Sequence, residues 1–282
     1  MKKVGLTLGG GGARCFAHLG VIEVLQKNNI PINCLVGSSM GSIISALIAN
    51  GVLIEDIKKE FFKRIRRLNW LKPKFSKNGF ISQANIKKIL ECLLPQQNIE
   101  DTKIPLYIVA TELKTAKLHI FEEGNIIDAV CASSAFPGIY PPVTIGDNIF
   151  VDGGVLNNVP ADICRKKIGK NNIVISCALE GSFYDPSLSN YTSNSFSVVW
   201  RSIYIPLIKT REKITKENSD IILRPLKDIK FNFHSWKDIL KFYNVKLMNY
   251  YYEKGKKEMK RKMPLLKKLL KKNENNSNRS NI

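Results

Sequence analysis

The sequence predicts an α/β fold, a mainly parallel sheet with helices packed on it. Three observations carry this. Short apolar runs alternate with longer stretches of helical periodicity from the first residues onward. Glycine clusters stand at the joins, at 9–12, 37–41 and 153–154. Hydrophobic residues make up 44% of the 282 residues and aromatics 9%, the composition of a globular chain and not of a disordered one.

Residues 3–8 (KVGLTL) read as a short buried strand stopped by four glycines. A helix follows over 14–28, with Phe16, Leu19, Ile22 and Leu25 on one face and Asn28-Asn29 as its end. A second strand at 32–36 enters a tight turn, Gly37-Ser38-Ser39-Met40-Gly41. The next helix, with Ile43, Ile44, Leu47 and Ile48, stops at Asn50-Gly51. Strand–helix–strand–helix order implies parallel pairing. Further strands are expected at 105–110, 117–121, 148–151, 172–178 and 219–224. Further helices are expected at 55–70, 82–93, 125–133, 160–168, 198–217 and 236–260. Residues 181–196, rich in Ser, Asn and Tyr, read as a long loop or lid. The simplest division is one α/β domain over 1–252 and a tail over 253–282, basic and amphipathic first, then polar.

No run of 18 or more apolar residues spans a bilayer, and the start, MKKVGLTLGGGG, is too short in apolar residues for a signal-peptide core. The six cysteines (Cys15, Cys34, Cys92, Cys131, Cys164, Cys177) are scattered and form no C-x-x-C pair. They read as buried thiols of a reducing compartment, so a cytoplasmic location is expected and a zinc site is not. No cofactor is expected.

Charge is the compositional extreme, +20 from 44 Lys+Arg against 24 Asp+Glu. Lys58 to Lys77 holds nine basic residues and one acid, and Glu253 to Ile282 holds eleven and three. In the first segment Ile57, Phe61, Ile65 and Leu68 share a helical face, and Trp70 closes the run. In the second, Leu265, Leu266, Leu269 and Leu270 lie opposite Lys267, Lys268, Lys271 and Lys272, with Pro264 placed to start a short helix. Peripheral contact with an anionic membrane through 57–77 and 253–272 is the expectation. The competing reading is a solvated charged face over a core-packing stripe. Nucleic-acid binding is not expected, because no zinc finger, RNA-recognition or basic-zipper pattern is present and aromatics do not interleave with the basic runs.

Three elements carry chemistry. Gly37-x-Ser39-x-Gly41 lies between an apolar strand and an apolar helix, where a sharp turn exposes one side chain beside the positive end of the helix dipole. Gly9 to Gly12, then Ala13-Arg14, can converge backbone N–H groups on a phosphate or an oxyanion. A dinucleotide fingerprint fails at Cys15, and a P-loop ending is absent, so with Ser39 the oxyanion use is preferred. Asp152, at the end of an apolar strand and before Gly153-Gly154, can accept the serine proton.

In this order the elements resemble the patatin-like phospholipase family. The likeness covers about 3–180: GGGGAR, then AHLGV at 17–21, GSSMG at 37–41, ATEL at 110–113, ASSAFPG at 132–138, Pro141-Pro142 and VDGGVLNNVP at 151–160. It implies a three-layer α/β/α fold with a nucleophile elbow and a Ser39–Asp152 dyad. It further implies oxyanion donors at Gly10, Gly11 and Gly12, with Gly9, Arg14, Gly37, Gly41, Gly153 and Gly154 supporting the motifs. The implied activity is that of a lipid acyl hydrolase, a phospholipase A or lysophospholipase-like esterase. Phospholipid or another acyl lipid is the implied substrate. An acyltransferase using the same acyl-enzyme, or a non-catalytic basic module binding lipid surfaces, are the alternatives. Two departures stand out: Cys15 and Ala116 occupy positions usually held by glycine. A Ser-His-acid triad would need His234, the one histidine after Asp152, and its surroundings lack a catalytic motif.

Overall fold

Alternation along the strands decides which face of the sheet each side chain enters. The structure, a computed structural model, describes residues 2–66, 73–76, 79–179, 198, 209–229 and 244–271. In β1 (Val4–Leu8), Val4, Leu6 and Leu8 enter one large core, and β2 (Cys34–Ser38) adds Leu35 to it. Cys34 and Val36 point the other way, into a smaller core with Ile163, Cys164 and Ile168 of α6 (Ala161–Ile168). The large core is closed by α1 (Phe16–Lys27), α2 (Met40–Ala49), α3 (Ile54–Arg66), α4 (Ala84–Leu93) and α5 (Ile126–Ser133). The expected three layers are therefore present, with α6 on the thinner side.

The main sheet contains β5 (Leu106–Glu112), β6 (Lys117–Phe121), β7 (Val143–Ile145), β8 (Asn148–Asp152), β9 (Ile173–Cys177) and β10 (Ile221–Leu223) besides β1 and β2. Its order is β10-β9-β1-β2-β5-β8-β7, with β6 paired to β5. The pairings from β10 to β5 are parallel, and β6, β7 and β8 join antiparallel. A separate hairpin, β3 (Pro73–Ser76) and β4 (Gly79–Ile81), was not legible in the sequence.

One register positions the site. β2 accompanies the first half of β5, ending at Ser38↔Val109. β6 holds the other edge of β5 over Ile108 to Glu112, so β8 continues where β2 stops, beginning at Ala110↔Asp152. The end of β2 and the end of β8 thus meet head-on beside β5, although more than a hundred residues separate them in the chain.

The C-terminal part departs from the sequence reading. A helix over 209–218, α7, is followed after β10 by α8 (Val245–Lys271), a continuous helix carrying Pro264 inside it. The expected boundary at 252/253 falls within α8, and the short helix expected to start at Pro264 is its last part. The reason is packing. Gly20 of α1 and Gly255 of α8 let the backbones touch; a Cβ at Gly255 would lie 2.0 Å from the Ala17 carbonyl oxygen. Met248, Tyr251, Met259, Met263 and Leu266 are buried, while Leu269 and Leu270 pack partly against the core. The Glu23 carboxylate of α1 pairs with Lys27 and Lys256 and accepts from the Tyr252 hydroxyl. In α3, Ile57 and Phe61 are equally buried, with Phe61 and Phe62 against the Phe16 ring at 5.4 Å. Both amphipathic stripes are therefore core-packing faces as far as they are described. These packed apolar residues are not free to serve as the anchors of the membrane contact expected through 57–77 and 253–272. Leu265, 40% exposed, is the exception. The expected loop at 181–196, His234, Leu68 and Trp70, and the polar tail lie outside the described residues.

Candidate active site

Ser39 sits at the join of β2 and α2 with φ 54 and ψ −133, a backbone conformation that side chains other than glycine rarely adopt. Such a residue costs on the order of 1–3 kcal/mol and persists only when its surroundings hold it. Here they do. The Ser39 amide donates to Ser133 Oγ at 2.9 Å, and its carbonyl accepts from Ser42 N at 2.9 Å and Ser42 Oγ at 2.6 Å. Gly41 is required because a Cβ there would lie 2.1 Å from the Leu8 carbonyl oxygen. Ser39 stays partly exposed while the residues around it are buried.

Asp152 closes the pair. Ser39 Oγ donates to Asp152 Oδ2 at 2.6 Å, and the Gly154 amide donates to Oδ1 at 2.7 Å. The Asp152 backbone is held on both sides, its amide by the Ala135 carbonyl at 3.0 Å and its carbonyl by Thr111 Oγ1 at 3.0 Å. Burial raises the carboxyl from its ordinary 3.8 to about 6, against the opposing pull of the Ser39 and Gly154 hydrogen bonds and the Arg211 charge. An ordinary aspartate is a weak base; this one is stronger, and still ionised at neutral pH.

The glycine loop lies against Ser39. A Cβ at Gly10 would come within 2.7 Å of Ser39 Cβ. The Gly9 amide is taken by the Cys177 carbonyl at 3.1 Å and the Gly10 amide by the Asn158 carbonyl at 3.2 Å. Gly11 and Gly12 open a single-turn 3₁₀ helix over Gly12–Cys15, where first-turn amides have no carbonyl within the helix to bond. Arg14 ties the loop down, with Nε donating to the Gly11 carbonyl at 2.7 Å and Nη1 to the Leu179 carbonyl at 3.2 Å. His18 holds its other end. Burial pushes its pKa down to about 4, so the neutral ring donates from Nε2 to the Gly9 carbonyl at 2.7 Å. Ser39, Asp152, Gly10, Gly153 and Gly154 come together; Gly37 and Gly41 shape the elbow from below.

The two departures differ in consequence. Cys15 is fully buried in a right-handed helical conformation that needs no glycine, so its side chain enters the core and not the loop mouth. Ala116, in contrast, adopts φ 54 in the β5–β6 turn, where glycine would be favoured. Three residues at the site carried no role in the sequence: Ser133 and Asn158, inside the motif stretches 132–138 and 151–160, and Arg211, outside every motif. Among the described residues, no three His, Cys, Asp or Glu side chains gather to hold a metal ion. Nor is any described helix long and apolar enough to cross a membrane.

The chain belongs to the patatin-like phospholipase family, whose model matches residues 6–165. A patatin-like phospholipase domain-containing protein of Caenorhabditis elegans is 31% identical over 205 residues, 70% of this chain and 15% of that protein. Lysophospholipase NTE1 of Debaryomyces hansenii is 32% identical over 206 residues, 71% of this chain and 13% of that protein. An uncharacterized NTE family protein of Mycobacterium tuberculosis strain H37Rv is 34% identical over 190 residues, 66% of this chain and 51% of that protein. The aligned region is thus a minor part of the first two relatives and about half of the third.

Proposed function

We propose that this protein is a serine lipid acyl hydrolase, a phospholipase A or lysophospholipase-like esterase using Ser39 as nucleophile and Asp152 as its base. The observation that carries the reading is the 2.6 Å hydrogen bond from Ser39 Oγ to Asp152 Oδ2, on a strained elbow in a family of phospholipases. Asp152 takes the hydroxyl proton as Ser39 Oγ attacks the ester carbonyl, and the tetrahedral oxygen carries the negative charge. The Gly11 and Gly12 amides are the donors available to it, since the Gly10 amide is engaged by Asn158. Each such donor is worth about 3–4 kcal/mol in other hydrolases. The alcohol leaves with the proton from Asp152. Water then attacks the acyl-serine by the same proton transfer in reverse, releasing a fatty acid.

Where the enzyme works follows from its charge. The apolar stripes of α3 and α8 face the core, so attraction to a membrane would be Coulombic, through exposed residues such as Lys59, Lys63, Lys257, Lys260, Lys267 and Lys268. α3 and α8 adjoin, with Lys58 Nζ 4.4 Å and Lys256 Nζ 5.0 Å from the Tyr252 ring centroid. The two basic helices therefore meet at the Tyr252 ring. Five of the six cysteines are buried and none is disulfide-bonded, which supports a reducing, cytoplasmic setting.

The test is product analysis by mass spectrometry on mixed anionic and zwitterionic vesicles, with wild type and Ser39→Ala. Free fatty acid that depends on Ser39 is expected. Acylated lipid without free acid would make the protein a transferase, and no difference between the two proteins would end the catalytic reading.

A further inference from the structure

Arg211 is an arginine only 4% exposed, on a helix that no sequence motif marks. α7 brings it against the short 3₁₀ turn Gly153–Val155, where Nη2 donates to the Val155 carbonyl at 3.2 Å. That turn begins at Asp152 and supplies the Gly154 amide bonded to Asp152 Oδ1 at 2.7 Å. Burying a guanidinium is costly unless hydrogen bonds and opposite charge compensate. Asp152 is an acid whose carboxyl feels that charge.

We propose that Arg211 is a positioning residue for the Ser39–Asp152 pair: through the Val155 carbonyl it pins the turn that aims the Asp152 carboxylate, and it places a permanent positive charge behind that turn. The inference rests on the dyad reading above. Among the described residues, the other groups facing Asp152 are uncharged. The elbow offers the Ser39 hydroxyl and its own turn the Gly154 amide, β5 offers Ala110 and Thr111, and the chain after α5 offers the Ala135 carbonyl. Among the described residues Arg211 is thus the charge that joins the Ser39 and Gly154 hydrogen bonds in opposing the burial of this carboxyl. It also lies beyond the 6–165 family match, so the C-terminal part of the chain completes the chemistry of the N-terminal part.

The experiment measures kcat and kcat/KM for a soluble short-chain ester from pH 5 to 9 with wild type, Arg211→Met, Arg211→Gln, Arg211→Lys and Ser39→Ala. Removing the positive charge raises the carboxyl further, so the acid limb of Arg211→Met moves to higher pH. A displacement of about one pH unit makes its loss at pH 6 roughly fivefold greater than at pH 8.5. Arg211→Lys keeps the charge and loses the planar reach to Val155; its limb stays with wild type while kcat falls. Arg211→Gln, neutral but still able to donate to Val155, should show the same limb as Arg211→Met with a smaller drop in melting temperature. Limbs of both neutral variants that coincide with wild type, or equal losses for Met and Lys at every pH, would reduce Arg211 to a structural residue. Equal hydrolysis by wild type and Ser39→Ala would instead remove the dyad itself.

Discussion

Replacing Asp152 by Asn should abolish turnover and at the same time make the protein more stable at neutral pH. Asn keeps the shape of the side chain and can still accept from the Gly154 amide, but it carries no charge into the buried site. Burial raises the Asp152 carboxyl from 3.8 to about 6, and the unfolded chain keeps the ordinary value. Between those two values the folded state binds more protons than the unfolded state. Wild-type stability therefore falls as pH rises through that window and stays lower above it. At about 1.4 kcal/mol for each pH unit, the deficit is about 3 kcal/mol. Urea unfolding followed by circular dichroism at pH 4 to 8 measures it. The advantage of Asp152→Asn over wild type should be smallest near pH 4, grow through pH 6, and level off at up to about 3 kcal/mol by pH 8. Parallel stability curves, or a variant less stable than wild type at pH 8, would refute the claim that burial of a charge, more than its hydrogen bonds, governs this carboxyl.

Four further expectations follow from the structure. Gly255→Ala drives a methyl group into the Ala17 carbonyl, 2.0 Å from an ideal Cβ, and should cost about 2–4 kcal/mol by pushing α8 off α1; thermal melting reports it. Ala116→Gly relieves a left-handed residue at φ 54 and should raise stability by about 0.5–1 kcal/mol, since relief of strain exceeds the added freedom of the unfolded chain. A fall in melting temperature would contradict it. Replacing Lys260, Lys267 and Lys268 by Gln should weaken sedimentation with anionic vesicles by about a hundredfold at low salt, at roughly 1 kcal/mol per lysine, and leave the melting temperature within about 2 °C. Truncation after residue 252 is a different experiment. It removes Met259, Met263 and Leu266 from the core, so soluble-ester turnover and vesicle binding should be lost together.

Much of the fold was readable because its signals are local. The apolar runs that became β1, β2, β5 and β9 are short, buried and bounded by glycine or polar residues, and most of the expected helices fell within a few residues of their place. The elbow was readable for the same reason, since a strand, a crowded five-residue turn and a helix all act within one stretch of chain. The C-terminal helix was misread because Pro264 and the Leu-Lys pattern look alike in a free amphipathic helix and in one packed on a core. Nothing in either sequence stretch announces that Gly20 will meet Gly255. β3 and β4 lack an alternating pattern of their own, and β7 is three residues long, too short for one.

By itself the sequence determined the chemistry on offer: a serine on an elbow, an aspartate after a strand, a loop of glycines, and sixteen of the twenty excess charges in two stretches. Tertiary structure decided what those groups became. The hand-over from β2 to β8 along one edge of β5 is what brings Ser39 within hydrogen-bonding distance of Asp152, and a register is a property of three strands together. Burial then raised the pKa of the aspartate, and a carbonyl from Asn158 removed Gly10 from the free amides of the loop. Packing turned most of the described apolar residues of the two amphipathic stripes inward. Desolvation and close contact depend on what arrives from elsewhere in the chain, and a linear pattern cannot specify them.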